Sequence, residues 1–193
     1  MRKVAALYVD PNGPYRNLPN VEPWDEKRDA RGYVGPHPVV AHPPCGRWCR
    51  MAYVNEKRWG AKVGDDGGCF KAALEAVRAY GGVLEHPAFS IAWKTFSLPR
   101  PDKVGGWRRE GNLWTCEVWQ SAYGHPCHKR TWLLYVGNPP ADLVWTQDKS
   151  LATHQVGGGI HTGNRSKPRL KQSQTHLSPP LFAAALLSLA RNS

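Results

Sequence analysis

The sequence predicts a compact α/β fold with a Rossmann-like, partly parallel sheet, flanking helices and a short basic appendage near residues 146–175. Three observations predict it. Val39-Val40-Ala41, an amphipathic stretch at 67–80 and Val83-Leu84-Glu85 succeed one another as strand, helix and strand. Such a unit crosses over right-handed onto a parallel sheet. Residues 3–9 form an apolar run with a Pro-Asn-Gly-Pro turn behind it, the pattern of a buried strand. A chain of 193 residues, 41% hydrophobic and 21% charged, has ordinary globular composition and the size of a single domain, 1–193.

The elements follow in order. After the first strand, residues 10–37 carry prolines 11, 14, 19, 23 and 36, which remove N–H donors and exclude a long helix. Val39–Ala41 is the second strand and ends at His42-Pro43-Pro44-Cys45. In the helix at 67–80, Phe70, Ala73, Leu74, Val77 and Tyr80 share one face, and Gly81-Gly82 stops it. Val83-Leu84-Glu85 is the third strand, and 91–96 a short helix. Residues 99–112 read as a loop, and Thr115–Trp119 and Thr131–Val136 as paired strands. Ser178-Pro179-Pro180 opens a last helix running to Arg191, with a capping Ser and prolines in the first turn.

No apolar run approaches the roughly 18 to 20 residues that span a bilayer. The apolar start is too short for a signal peptide, so the reading is a soluble, cytoplasmic protein whose five cysteines are reduced thiols. The net charge of +11 points to a nucleic-acid partner. From Lys149 to the end stand six basic residues, Lys149, Arg165, Lys167, Arg169, Lys171 and Arg191, and no acidic one. Arg165, Lys167, Arg169 and Lys171 are therefore candidate phosphate contacts. Trp48 and Trp107, set among arginines, are candidates for stacking on bases, and Arg47 and Arg50 beside Trp48 are candidate nucleic-acid contacts.

In a parallel sheet, ligands sit at the carboxyl ends of the strands. Cys45 and Glu85 both lie at or just past such ends, which places a thiol and a carboxylate on one rim. Pro43-Pro44 present the thiol on a rigid turn. Arg47, Arg50 and Arg130 are the cations that would lower its pKa.

Three segments, Pro43-Pro44-Cys45, Glu85-His86-Pro87 and Arg130-Thr131-Trp132-Leu133, together with the closing helix from Thr175, resemble the cytosine-C5 DNA methyltransferase family in their order. The resemblance implies Cys45 as nucleophile, Glu85 as acid and Arg130 as the clamp on the base. It also implies S-adenosyl-L-methionine as methyl donor and DNA as substrate. A thiolate adding at carbon 6 of a pyrimidine makes carbon 5 nucleophilic. An acid on ring nitrogen 3 stabilises the developing charge, and burial of Glu85 would favour the protonated form this needs. The base must be flipped out or single-stranded.

The chain also departs from that family. Asp10-Pro11-Asn12-Gly13-Pro14 stands where a glycine-rich cofactor loop is expected, and the following helix is missing. The carboxylates left to hold a ribose are Asp10, Glu22, Asp25 and Asp29. Only about forty residues separate Gly137 from His176, where the family keeps its target-recognition domain. Three alternatives stay open at the level of sequence. One is pyrimidine activation with another donor. Another is a non-catalytic, basic DNA-binding protein. The last is its zinc-stabilised form, with ligands drawn from His42, Cys45, Cys49, His125, Cys127 and His128.

Overall fold

The computed structural model describes residues 1–102, 105–156 and 167–193. Strands β1 (Val4–Leu7), β2 (Val21–Trp24), β3 (Val39–Ala41), β4 (Gly82–Pro87), β5 (Arg108–Glu110), β6 (Leu113–Trp119) and β7 (Arg130–Val136) form one sheet in the order β2-β1-β3-β4-β7-β6-β5. The first four strands are parallel. β7 runs antiparallel to both β4 and β6, and β5 antiparallel to β6. Helices α1 (Ala52–Trp59) and α2 (Cys69–Tyr80) connect β3 to β4, and α3 (Ile91–Thr95) follows β4. The architecture is mixed α/β, with a partly parallel sheet flanked by helices.

The apolar runs of the sequence are explained by burial on both faces of the sheet. Ala5, Leu7, Val39, Ala41 and Leu84 pack with Phe70, Ala73, Leu74 and Val77 of α2. Their neighbours Val4, Ala6, Val40 and Val83 point the other way, against Phe182, Leu186 and Leu187 of the last helix. Strands covered on both faces carry no polar alternation. Gly82 has a second task besides ending α2. Its φ is +110°, and a β-carbon there would collide with the backbone carbonyl of Val39, so only glycine lets β4 close against β3.

Three elements differ from the sequence expectation. β2 lies within the proline-rich stretch 10–37, as an edge strand that tolerates Pro23 because only one side needs a donor. Single 3-10 turns at Glu26–Arg28 and Ala30–Gly32 follow it. α1 occupies a segment with no apolar periodicity, and Ala52 is its only buried residue. β5 pairs with β6 inside the expected loop 99–112. In the basic segment 146–175, the described residues hold β8 (Gln155–Val156) paired with β9 (Arg169–Leu170), then α4 (Gln172–Thr175). The last helix, α5 (Pro180–Arg191), begins at the prolines as expected, but Pro179 rather than Ser178 holds the cap position and no side chain caps it. Among the described residues, no helix is long and apolar enough to cross a membrane.

Candidate active site

Parallel strands end on one rim, and here the carboxyl ends of β1 to β4 open into a cavity of about 1000 Å³. Tyr8 and Asp10 line it from β1, Asp25 and Asp29 from the turns after β2, His42 and Cys45 from β3, and Glu85 from β4. Lys129 and the segment 175–178 ahead of α5 close the far wall. Cys45 and Glu85, forty positions apart in sequence, thus share one cavity.

Cys45 is half-buried on a turn whose carbonyl accepts the amides of Trp48 at 3.0 Å and Cys49 at 2.9 Å. Burial, the charge of Glu85 and the neighbouring Cys49 push its thiol up to about 11, against a downward pull from Lys129. This corrects the expectation of a thiol activated by arginines. Arg47 is half-buried, and Arg50 is exposed with its guanidinium 5.5 Å from the Phe89 ring centre.

Glu85 is 7% exposed and fully hydrogen-bonded. Its Oε2 lies 3.0 Å from Nδ1 of His42, and its Oε1 accepts from Nε2 of Gln120 at 3.0 Å. The other ring nitrogen of His42 meets the Tyr15 hydroxyl at 2.8 Å. Burial alone would raise the carboxyl. The His42 hydrogen bond and the charges of Lys129, His42 and His86 more than offset it and hold it at about 2. Glu85 is therefore an ionised carboxylate in the resting protein, the reverse of the expectation from burial. Tyr15, Gln120 and Lys129 are site residues that the sequence reading missed, and His42 entered it as a possible zinc ligand. Only His42, directly before Pro43-Pro44-Cys45, had a local signal.

Arg130 does not line the cavity. Its guanidinium is engaged by buried Glu117, Nε to Oε1 at 2.6 Å and Nη2 to Oε2 at 3.0 Å, and lies 4.7 Å from the Phe89 ring centre. Lys129, one residue earlier, faces the cavity instead. Lys129, Tyr8 and Asp29 are three of the six described non-glycine residues with positive φ, a concentration of backbone strain at one rim.

The carboxylates divide as well. Asp10, Asp25 and Asp29 line the cavity, Asp29 with both oxygens on the Arg31 guanidinium at 2.8 Å, whereas Glu22 sits mid-strand in β2, paired with Lys3 at 2.9 Å and with Arg28. The Tyr8 hydroxyl is buried at the cavity without a hydrogen-bond partner among the described residues. Carboxylates and an unpartnered phenol suit the hydroxyls and polar edges of a nucleoside-containing cofactor.

Of the two tryptophans chosen for stacking, Trp48 is buried and Trp107 is half-buried. Trp48 is 4% exposed, with its indole N–H on Asp66 at 2.8 Å. Trp107 donates to the Ala141 carbonyl at 3.1 Å and packs on Tyr135 and Trp145. In the basic segment, Arg169 and Lys171 are exposed, while the Lys167 ammonium is spent on the carbonyls of Lys149 and Ala152. Arg165 lies outside the described residues. No group of three or more His, Cys, Asp or Glu among the described residues is placed to hold a metal. His42 and His125, two of the zinc ligands considered, use ring nitrogens on Glu85 and Tyr15 and on the Cys127 backbone.

No family model, curated protein or solved structure matches the chain.

Proposed function

We propose that the protein modifies carbon 5 of a pyrimidine in DNA, with Cys45 as nucleophile, Glu85 as acid and S-adenosyl-L-methionine as donor. One observation carries the reading. A thiol and a carboxylate at the ends of adjacent parallel strands, β3 and β4, share a cavity that Asp10, Asp25 and Asp29 also line. On this reading the thiol and Glu85 are assigned to the pyrimidine and these aspartates to the ribose of the donor. The strand order supports a Rossmann-like reading, because β2 and β3 flank β1 and the order reverses there. Ligands of such sheets sit at the reversal.

The resting charge state sets what the residues have to do. Thiolate addition needs Cys45 without its proton and Glu85 with one, whereas the resting site holds a neutral thiol and an ionised carboxylate. The proton that Cys45 gives up is the one that Glu85 lacks. The two groups are coupled, since the Glu85 charge is among the causes that raise Cys45. A pyrimidine that displaces His42 from Oε2 removes the bond that keeps the carboxyl low, and burial then favours the acid. Protonated Glu85 is bonded to ring nitrogen 3, and its lost charge no longer opposes the thiolate. Lys129, on the same cavity, takes the clamping role on the base carbonyl that the resemblance had assigned to Arg130. S-Adenosylmethionine supplies an electrophilic methyl group when bound. Asp10, Asp25, Asp29 and Tyr8 are the residues that would hold it.

A second donor class is favoured by one feature. The turn in place of a glycine-rich loop is closed on itself, with Asp10 Oδ1 accepting the Asn12 amide at 2.7 Å. Incubation of the protein with S-adenosylmethionine and cytosine-containing DNA, followed by nucleoside mass analysis, tests the reading. A gain of one methyl on cytosine supports it. Unmodified cytosine, together with no calorimetric binding of S-adenosylmethionine, removes that donor.

A further inference from the structure

Helix α1 has no folding rationale of its own. It spans eight residues and buries only Ala52. Helices this short are marginal in water without an apolar face packed on the body. Val54 is half-buried, but both aromatics of the helix point outward, Trp59 70% exposed and Tyr53 61%, as does the preceding Met51 at 54%. Exposed cations surround them at Arg50, Lys57, Arg58 and Lys62, and none of these is in an ion pair among those described. Of the carboxylates in and just after the helix, Glu56 accepts the Val63 amide and Asp66 accepts the Trp48 indole N–H and the Phe70 amide, while Asp65 is exposed. The helix is also tied to the candidate nucleophile, because the Cys45 carbonyl holds the Cys49 amide and the Cys49 carbonyl holds that of Ala52.

We propose that α1 is a nucleic-acid contact surface, on which Trp59 and Tyr53 stack against bases beside the target nucleotide while Arg50, Lys57, Arg58 and Lys62 meet phosphates. Exposed aromatics among unpaired cations fit a single strand or a locally opened one, since every base offers a π-face and every linkage a negative charge. The location relative to the target base rests on the proposed activity; the nucleic-acid contact does not. The aromatic readers of this protein are then Trp59 and Tyr53, in place of the buried Trp48 and the packed Trp107.

The test is fluorescence anisotropy with a short labelled single-stranded DNA and its duplex, with salt varied between about 50 and 200 mM. Trp59→Ala and Tyr53→Ala should each weaken binding about fivefold or more, the effect of losing one base–aromatic stack. Trp59→Phe should restore most of the affinity. Lys57→Ala with Arg58→Ala should flatten the salt dependence by about 0.7 in slope per cation on a single strand. Thermal unfolding should stay unchanged in all four variants, since the substituted side chains are exposed. Wild-type affinity and slope in these variants overturn the proposal, as does a wild-type protein that binds neither DNA. Loss of binding in the α1 variants, in a protein that never attacks a pyrimidine, supports α1 and sinks the catalytic reading. Normal attack with binding indifferent to α1 does the opposite.

Discussion

Oε2 of Glu85 lies 3.0 Å from Nδ1 of His42, and this hydrogen bond is chief among the effects that keep a buried carboxyl ionised. Tyr15 anchors the imidazole from its far side at 2.8 Å, and Gln120 anchors the carboxylate from its other oxygen at 3.0 Å. The chain Tyr15–His42–Glu85–Gln120 fixes where the Glu85 carboxylate points.

The first prediction concerns pH and stability. The folded Glu85 carboxyl sits at about 2, below its ordinary 4.5. A lowered carboxylate stabilises the fold above its unfolded value, and that contribution is lost as pH falls from about 4.5 towards about 2. A buried carboxyl held that far down contributes on the order of 3 kcal/mol at neutral pH. Urea unfolding from pH 6 to pH 2.5 should show a steeper acid loss in wild type than in Glu85→Gln. Parallel curves for the two proteins would contradict this.

The second concerns the resting thiol. With Cys49 and Cys69 replaced by Ser, Cys45 is the one thiol left that is not buried. Its alkylation by iodoacetamide should rise about tenfold per pH unit from 7 to 9 without a plateau, because only the thiolate reacts. Glu85→Gln should speed the reaction and Lys129→Ala should slow it, following the signs of their charges. A plateau below pH 8 would mean a thiolate already formed in the resting site.

The third separates Arg130 from Lys129. Arg130→Ala strands Glu117, 3% exposed, with only the indole N–H groups of Trp119 and Trp132 at 3.3 and 2.9 Å. Breaking a fully buried pair costs about 3–5 kcal/mol; with Arg130 44% exposed, the loss in urea unfolding should be on the order of 2 kcal/mol. Lys129→Ala should cost less stability than Arg130→Ala, since it removes only one of the several effects that hold the Glu85 carboxyl low, and it should slow attack on a pyrimidine instead. The reverse pattern would return the clamping role to Arg130.

Much of this architecture was legible in the residues themselves. Val39–Ala41, the α2 stripe and Gly81-Gly82 announce the parallel crossover, because burial on both faces leaves an uninterrupted apolar run. That topology alone places Cys45 and Glu85 on one rim. β2 escaped because an edge strand needs little apolar periodicity and tolerates Pro23. α1 escaped because it buries one residue. The partners of Glu85 were illegible for another reason: Tyr15 and Gln120 reach the site from 27 positions before His42 and 35 beyond Glu85, and hydrogen bonds at that range leave no local pattern. Trp48 and Trp59 show the same limit. Both stand among basic residues, and only the tertiary packing buries one and exposes the other.

Everything proposed for the cavity turns on whether the Cys45 sulfur attacks carbon 6 of a pyrimidine in DNA. The most direct measurement is covalent trapping on DNA carrying 5-fluorocytosine with S-adenosylmethionine present, because fluorine at carbon 5 blocks the elimination that frees the enzyme. The expected result is a stable protein–DNA adduct, mapped by peptide mass spectrometry to Cys45 and absent in Cys45→Ser. An adduct that persists in Cys45→Ser, or wild-type protein that forms none, would contradict it.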